Sequence, residues 1–112
     1  MPINDRVATD AEIRERDGGK CARCGGNQGG LHTHHRWMRS AGADERACNR
    51  VTLCAHCHIW AHKSPAKATE EGWLVSRYDD PGQVPVTHFL WPGVQILLTD
   101  ENAGVKIWLK DD

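Results

Sequence analysis

Cys54-Ala55-His56-Cys57-His58-Ile59-Trp60-Ala61-His62 decides how the rest of the chain is read. Cys54 and Cys57, two residues apart, make half of a metal site. His58 and His62 stand at i and i+4, so on a helix they project from one face, one turn apart. That spacing lets a single helix offer two imidazoles to one ion. A second C-x-x-C, Cys21-Ala22-Arg23-Cys24, lies upstream, and between the two sits Leu31-His32-Thr33-His34-His35-Arg36-Trp37. These stretches predict one small domain with a four-cysteine zinc and a separate histidine-lined site.

Cys21, Cys24, Cys54 and Cys57 supply four soft thiolates, which suits tetrahedral zinc with no open position, hence a structural ion. The stretch between the half-sites, residues 25–53, exceeds the usual zinc-ribbon gap, as an insertion with its own function would explain. Cys54-Ala55-His56-Cys57-His58 also fits c-type haem attachment. That reading needs an exported chain and leaves Cys21, Cys24 and His34-His35 without a role. A redox C-x-x-C is disfavoured because a second C-x-x-C is present and no βαβ pattern surrounds the first. Cys48 is left over as a buried or free thiol.

Around these stretches the elements follow from local signals. Thr9-Asp10-Ala11-Glu12 fits a capping box, which predicts a helix over residues 10–17 stopped by Gly18-Gly19. Its few apolar positions (Val7, Ala11, Ile13) predict light packing on the zinc site, with its charges on a solvated face. Gly25, Gly26, Gly29 and Gly30 suit a knuckle turn after Cys21. Leu31 to Trp37 alternates as a strand, with His34 and His35 on opposite faces. Residues 49–53 read as an antiparallel partner, and the next helix covers residues 55–63. Ser64-Pro65 opens another helix over 65–71, ended by Gly72. In the tail, residues 73–78 read as a strand and Asp79-Asp80-Pro81-Gly82 as a turn. Residues 94–99 and 105–109 flank Asp100-Glu101-Asn102-Ala103-Gly104 as a β-hairpin. The tail aromatics Trp73, Tyr78, Phe89, Trp91 and Trp108 read as core.

At 112 residues the chain has room for one domain with a modest core, a size at which a metal serves as a staple. Residues 1–112 are therefore taken as one α+β domain, with a core of about 20–66 and an accessory β extension of about 73–112. Neither an apolar leader nor a membrane-length run is present, which points to reduced thiols in the cytoplasm. The net charge of −1 argues against nucleic acid, but its distribution does not. Residues 21–66 hold six Lys/Arg against two acids, and the flanking segments are acidic. The positive charge thus falls on the histidine-bearing segment, as a phosphate-binding face requires.

Together, Cys21-x-x-Cys24, Leu31-x-x-His34-His35, Asn49-x-x-x-Leu53-Cys54-x-x-Cys57-His58 and x-x-x-His62 resemble the HNH endonucleases, of the ββα-metal nucleases. The match covers roughly residues 21–63, and the first helix and tail are similar to short phage-encoded HNH proteins. The resemblance implies a zinc-stapled ββα-metal core that hydrolyses DNA phosphodiester bonds. His34 would bind a catalytic divalent ion (Mg²⁺, Mn²⁺, Ni²⁺ or Zn²⁺), with His58 as second ligand. His62 would complete that site or contact the scissile phosphate. His35 would be the general base, and Asn49 would hold the loop carrying it. Arg36, Arg39, Arg50 and Lys63 would hold flanking phosphates; His32 and His56 match no catalytic position. DNA is the expected partner, cut with little sequence preference by a monomer in a bacterial host cell, and a packaging role beside a phage terminase is compatible. The competing reading is a non-catalytic, zinc-stabilised module that binds DNA or a protein.

Overall fold

The computed structural model describes residues 7–37 and 44–109. Helix α1 (Asp10–Arg16) begins with the capping box: Thr9 Oγ1 accepts from Glu12 N–H, and Thr9 N–H donates to the Glu12 carboxylate. Two donors that a helix start leaves orphaned are thereby satisfied. Gly18 and Gly19, both at positive φ, end the helix. Ile13 packs against Ala47 and Ala103.

The C-terminal end of α1 departs from the expected solvated face. Asp17 is buried and accepts hydrogen bonds from Thr52 N–H, Arg16 and His88 Nε2. Arg16 also donates to the carbonyls of Ala47 and Arg50. Burial opposes ionisation of Asp17, but the hydrogen bonds from His88, Arg16 and Thr52 outweigh it and hold the carboxyl below its ordinary value. A buried charge is tolerated only when paired and hydrogen-bonded, so this end of α1 is a joint between the helix, the hairpin and the tail.

Strands β1 (Leu31–His35) and β2 (Arg50–Cys54) pair antiparallel, with Leu31 opposite Cys54 and His35 opposite Arg50. The second strand starts one residue later than the sequence suggests, because Asn49 closes a short 3-10 turn (Ala47–Asn49). β2 runs directly into α2 (Ala55–Lys63), whose N-cap is the Cys54 thiol, accepting from Cys57 N–H. Helix α3 (Pro65–Glu71) follows, with proline in its first turn and Gly72 in the left-handed region at its end. A Cβ at Gly72 would collide with the Pro85 carbonyl, so the tail lies hard against this helix end.

The tail belongs to the main core. Trp73, Leu74, Val86, Ile96 and Leu98 share one buried cluster with Cys21, Val51, Leu53, Cys57 and Ala61. Strands β3 (Ile96–Leu98) and β4 (Val105–Ile107) form the second antiparallel hairpin, so the chain is a small α+β fold. The strand expected over residues 73–78 is reduced to a single bridge between Val75 and Trp37. Tyr78, expected in the core, is 88% exposed, because the chain turns outward after Val75. No helix among the described residues is long and apolar enough to cross a membrane.

Arg36 ties the tail down. Its side chain is fully buried and donates to the carbonyls of Cys48, Gly72, Pro81 and Val84. Burial lowers its pKa to about 10, so it remains protonated at neutral pH. The expected phosphate contact is therefore corrected: every carbonyl it holds is protein, and none of its surface meets solvent. Arg36→Met keeps the stem but strands these carbonyls. Since one buried unsatisfied group costs ~1–3 kcal/mol, urea denaturation should show a loss of about 3 kcal/mol or more.

Candidate functional site

The two C-x-x-C pairs meet where the first turn of α2 faces the knuckle after Cys21. Gly25, Gly29 and Gly30 take positive φ there, and Ala55 N–H donates to Gly30 O. The four sulfurs of Cys21, Cys24, Cys54 and Cys57 all lie within 4.8 Å of one another. Cys24 Sγ and Cys54 Sγ are 3.8 Å apart. The edge of a tetrahedron of zinc–sulfur bonds of about 2.3 Å is also about 3.8 Å.

Donors surround the sulfurs: Cys24 N–H toward Cys21, Gly26 N–H toward Cys24, Cys57 N–H toward Cys54, and Arg23 Nη1 toward Cys57. Burial opposes ionisation of Cys54, yet the N–H groups of Cys57 and Gln28 bring it down to about 7. Burial, together with Cys21 and Cys54, pushes Cys57 strongly up. Four thiols this close cannot all ionise without a cation, so the cluster fits a metal ion. Cys48 stands apart as a free buried thiol, raised to about 12 by burial and by Asp100.

The second cluster lies where α2 crosses the first hairpin. His34 comes from β1, and His58 and His62 from successive turns of α2. One ring nitrogen from each lies within 4.8 Å of the others. Ring centroids are 5.2 Å apart for His34 and His58, and 4.7 Å for His58 and His62. His34 Nε2 lies 2.7 Å from the Trp73 carbonyl. A carbonyl only accepts, so Nε2 carries the proton and Nδ1 keeps its lone pair. Metal-binding histidines are commonly fixed in this way. His58 Nδ1 is buried without a hydrogen-bond partner, a polar atom that an ion between the imidazoles would satisfy. The residues present therefore fit a metal.

Burial lowers the His34 pKa to about 4, and His58, His62 and His35 add to this against the Trp73 carbonyl. His58 is lowered too, first by burial and then by His62 and His32. His34 thus stays neutral through the range in which a ligand is needed. Its folded value lies below the unfolded value of about 6.5. The stability it contributes is full above pH ~6.5 and declines toward about pH 4. An NMR titration between pH 8 and 5.5 should leave the His34 ring shifts nearly unchanged; a midpoint near 6.5 would contradict its burial.

His35, next along β1, points the other way. Its Nε2 meets both carboxylate oxygens of Glu45, at 3.0 and 3.1 Å. Asn49 spans the loop beyond it: Oδ1 accepts from Trp37 N–H, and Nδ2 donates to Asp44 O. One side chain thereby ties Trp37 to Asp44.

The basic residues are rearranged relative to the expected phosphate face. Arg50 has a side-chain exposure of 5%, is paired with Asp10 and donates to Ala8 O. It is corrected from a DNA contact to a buried brace between α1 and β2. Arg39 lies outside the described residues. Lys63, at the end of α2, is exposed. Arg46 pairs with Asp44, Asp80 and Asp100, and Arg23 stacks on Trp60 and pairs with Glu71. Among the described residues of 21–66, the four arginines are thus engaged by partners within the protein.

Sequence reasoning missed three features of the site: the Trp73 carbonyl on His34, Glu45 on His35, and His32 beside the cluster, its ring 5.8 Å from His58. Only His32 had a signal, since i and i+2 on a strand share a face. No protein-family model matches the chain, and neither a characterised protein nor a solved structure matches it. What fold and site define together is a small α+β domain with a four-cysteine cluster and a three-histidine cluster.

Proposed function

We propose that the chain is a metal-dependent endonuclease of the HNH type, hydrolysing DNA phosphodiester bonds, with a structural zinc on Cys21, Cys24, Cys54 and Cys57. The observation that carries this reading is the convergence of His34, His58 and His62 from hairpin and helix, with His35 turned away from them on the same strand. In this reading β1, β2 and α2 are the ββα-metal core. His34, His58 and His62 would hold a divalent cation, which would supply neutralisation of the charge that develops on the phosphate. His35 takes the proton of the attacking water as general base. Asn49 bridges Trp37 and Asp44 beside His35, and Trp73 O orients His34. With Arg36 and Arg50 internal, Lys63 is the one assigned phosphate contact that is exposed among the described residues. Affinity for DNA is accordingly low and cleavage weakly selective for sequence.

The test is incubation of purified, zinc-loaded protein with supercoiled plasmid and a panel of divalent ions. Conversion to nicked or linear DNA that depends on the ion supports the reading. Retarded plasmid without cleavage under any ion favours the zinc-stabilised binding module instead.

A further inference from the structure

Glu45 lies ten residues from His35 in sequence and meets it in space. Both its oxygens reach the same ring nitrogen, and the carboxylate is half exposed, at 51%. A group with that much solvent has no need of an imidazole for its own hydration. The contact is better understood from the side of His35, whose side chain is 27% exposed. Behind Glu45 stands the buried Arg50, with Nε 3.8 Å from the carboxylate and Nη1 3.0 Å from Asp10. Asp44, its neighbour in the chain, is held by Asn49 Nδ2 through its carbonyl and by Arg46 through its carboxylate. The carboxylate is thus delivered to His35 by an anchored loop end.

We infer that Glu45 is a positioning residue for His35, holding its Nε2–H so that Nδ1 faces the reacting water. This rests on the reading of His35 as general base. The chemistry is that of any imidazole base oriented by a carboxylate: the carboxylate accepts from one ring nitrogen and fixes both tautomer and ring orientation, which leaves the other nitrogen bare. Water gives its proton to Nδ1 and the hydroxide attacks phosphorus; the bond from phosphorus to the 3′ oxygen breaks, and that oxygen takes a proton from solvent water as it leaves. Glu45 takes no proton; it keeps Nε2–H in place while Nδ1 meets the water.

The experiment compares the parent with Glu45→Ala and Glu45→Gln, all zinc-loaded. Plasmid cleavage is measured at saturating divalent ion, and the His35 Nε2–H resonance is recorded in selectively labelled protein at low temperature. Glu45→Ala should lose the Nε2–H resonance to exchange and cut about tenfold or more slowly, a part of the ~10²–10⁴-fold worth of a general base. KM and divalent-ion affinity should be unchanged. Glu45→Gln still offers a carbonyl oxygen, so it should keep the resonance and recover most of the rate. Parental cleavage by Glu45→Ala, an unaltered His35 resonance, or equal loss in both variants overturns the inference. A parent that cuts nothing overturns the nuclease reading instead, and the resonance alone then decides whether Glu45 holds His35.

Discussion

Cys54→Ser should leave a chain that does not fold. Cys54 ends β2, caps α2 with its sulfur and stands 3.8 Å from Cys24. Replacing its sulfur removes a ligand and leaves three thiols, two of them buried, without a closed shell. In small zinc domains the binding free energy is folding free energy, ~10–16 kcal/mol in peptides. A fold of this size has about 5–15 kcal/mol of net stability, so loss of the ion exceeds the reserve. Zinc content and amide dispersion are the measurements. A soluble, folded, zinc-free Cys54→Ser protein would remove the structural role from the cluster.

Alanine at His34 and at His35 should fail in different ways. His35→Ala should still bind the divalent ion and DNA yet cut ~10²–10⁴-fold more slowly, the usual worth of a positioned base. His34→Ala should lose ion affinity and be rescued in part by excess ion, because His58 and His62 remain. It also leaves the Trp73 carbonyl without its Nε2–H donor. That costs stability of ~1–3 kcal/mol, so folding must be checked by urea denaturation alongside. Cleavage rate against ion concentration, with calorimetry for binding, separates the two. Normal ion affinity in His34→Ala and impaired affinity in His35→Ala would exchange their roles.

Much of this was legible because it is written in local chemistry. The limits of α2 and α3 follow from the i, i+4 histidines, Ser64-Pro65 and Gly72. The start of α1 follows from a reciprocal pair of side-chain hydrogen bonds. The cysteine and histidine clusters are also spacing signals, for ligands have recognisable side chains. What could not be read depends on backbone carbonyls and on distant closure. Arg36 beside two histidines looks like a phosphate contact until four carbonyls from the 48, 72, 81 and 84 positions close around it. A carbonyl belongs to every residue and marks none. The Asp17–His88 pair joins groups 71 residues apart, with no periodicity to announce it. In the sequence the tail reads as an accessory β extension, yet Trp73 supplies both core volume and the acceptor for His34.

On the proposed reading the two clusters have separate duties, the cysteines holding a structural ion and the histidines an exchangeable ion needed for cleavage. Zinc-loaded protein should be freed of weakly held ions by mild chelation, then assayed on supercoiled plasmid before and after a divalent ion is returned. Cleavage should stop on chelation while the fold and one zinc per chain persist, and it should return with the added ion in the parent but not in His35→Ala. Cleavage that survives chelation, or that no divalent ion elicits, would contradict it.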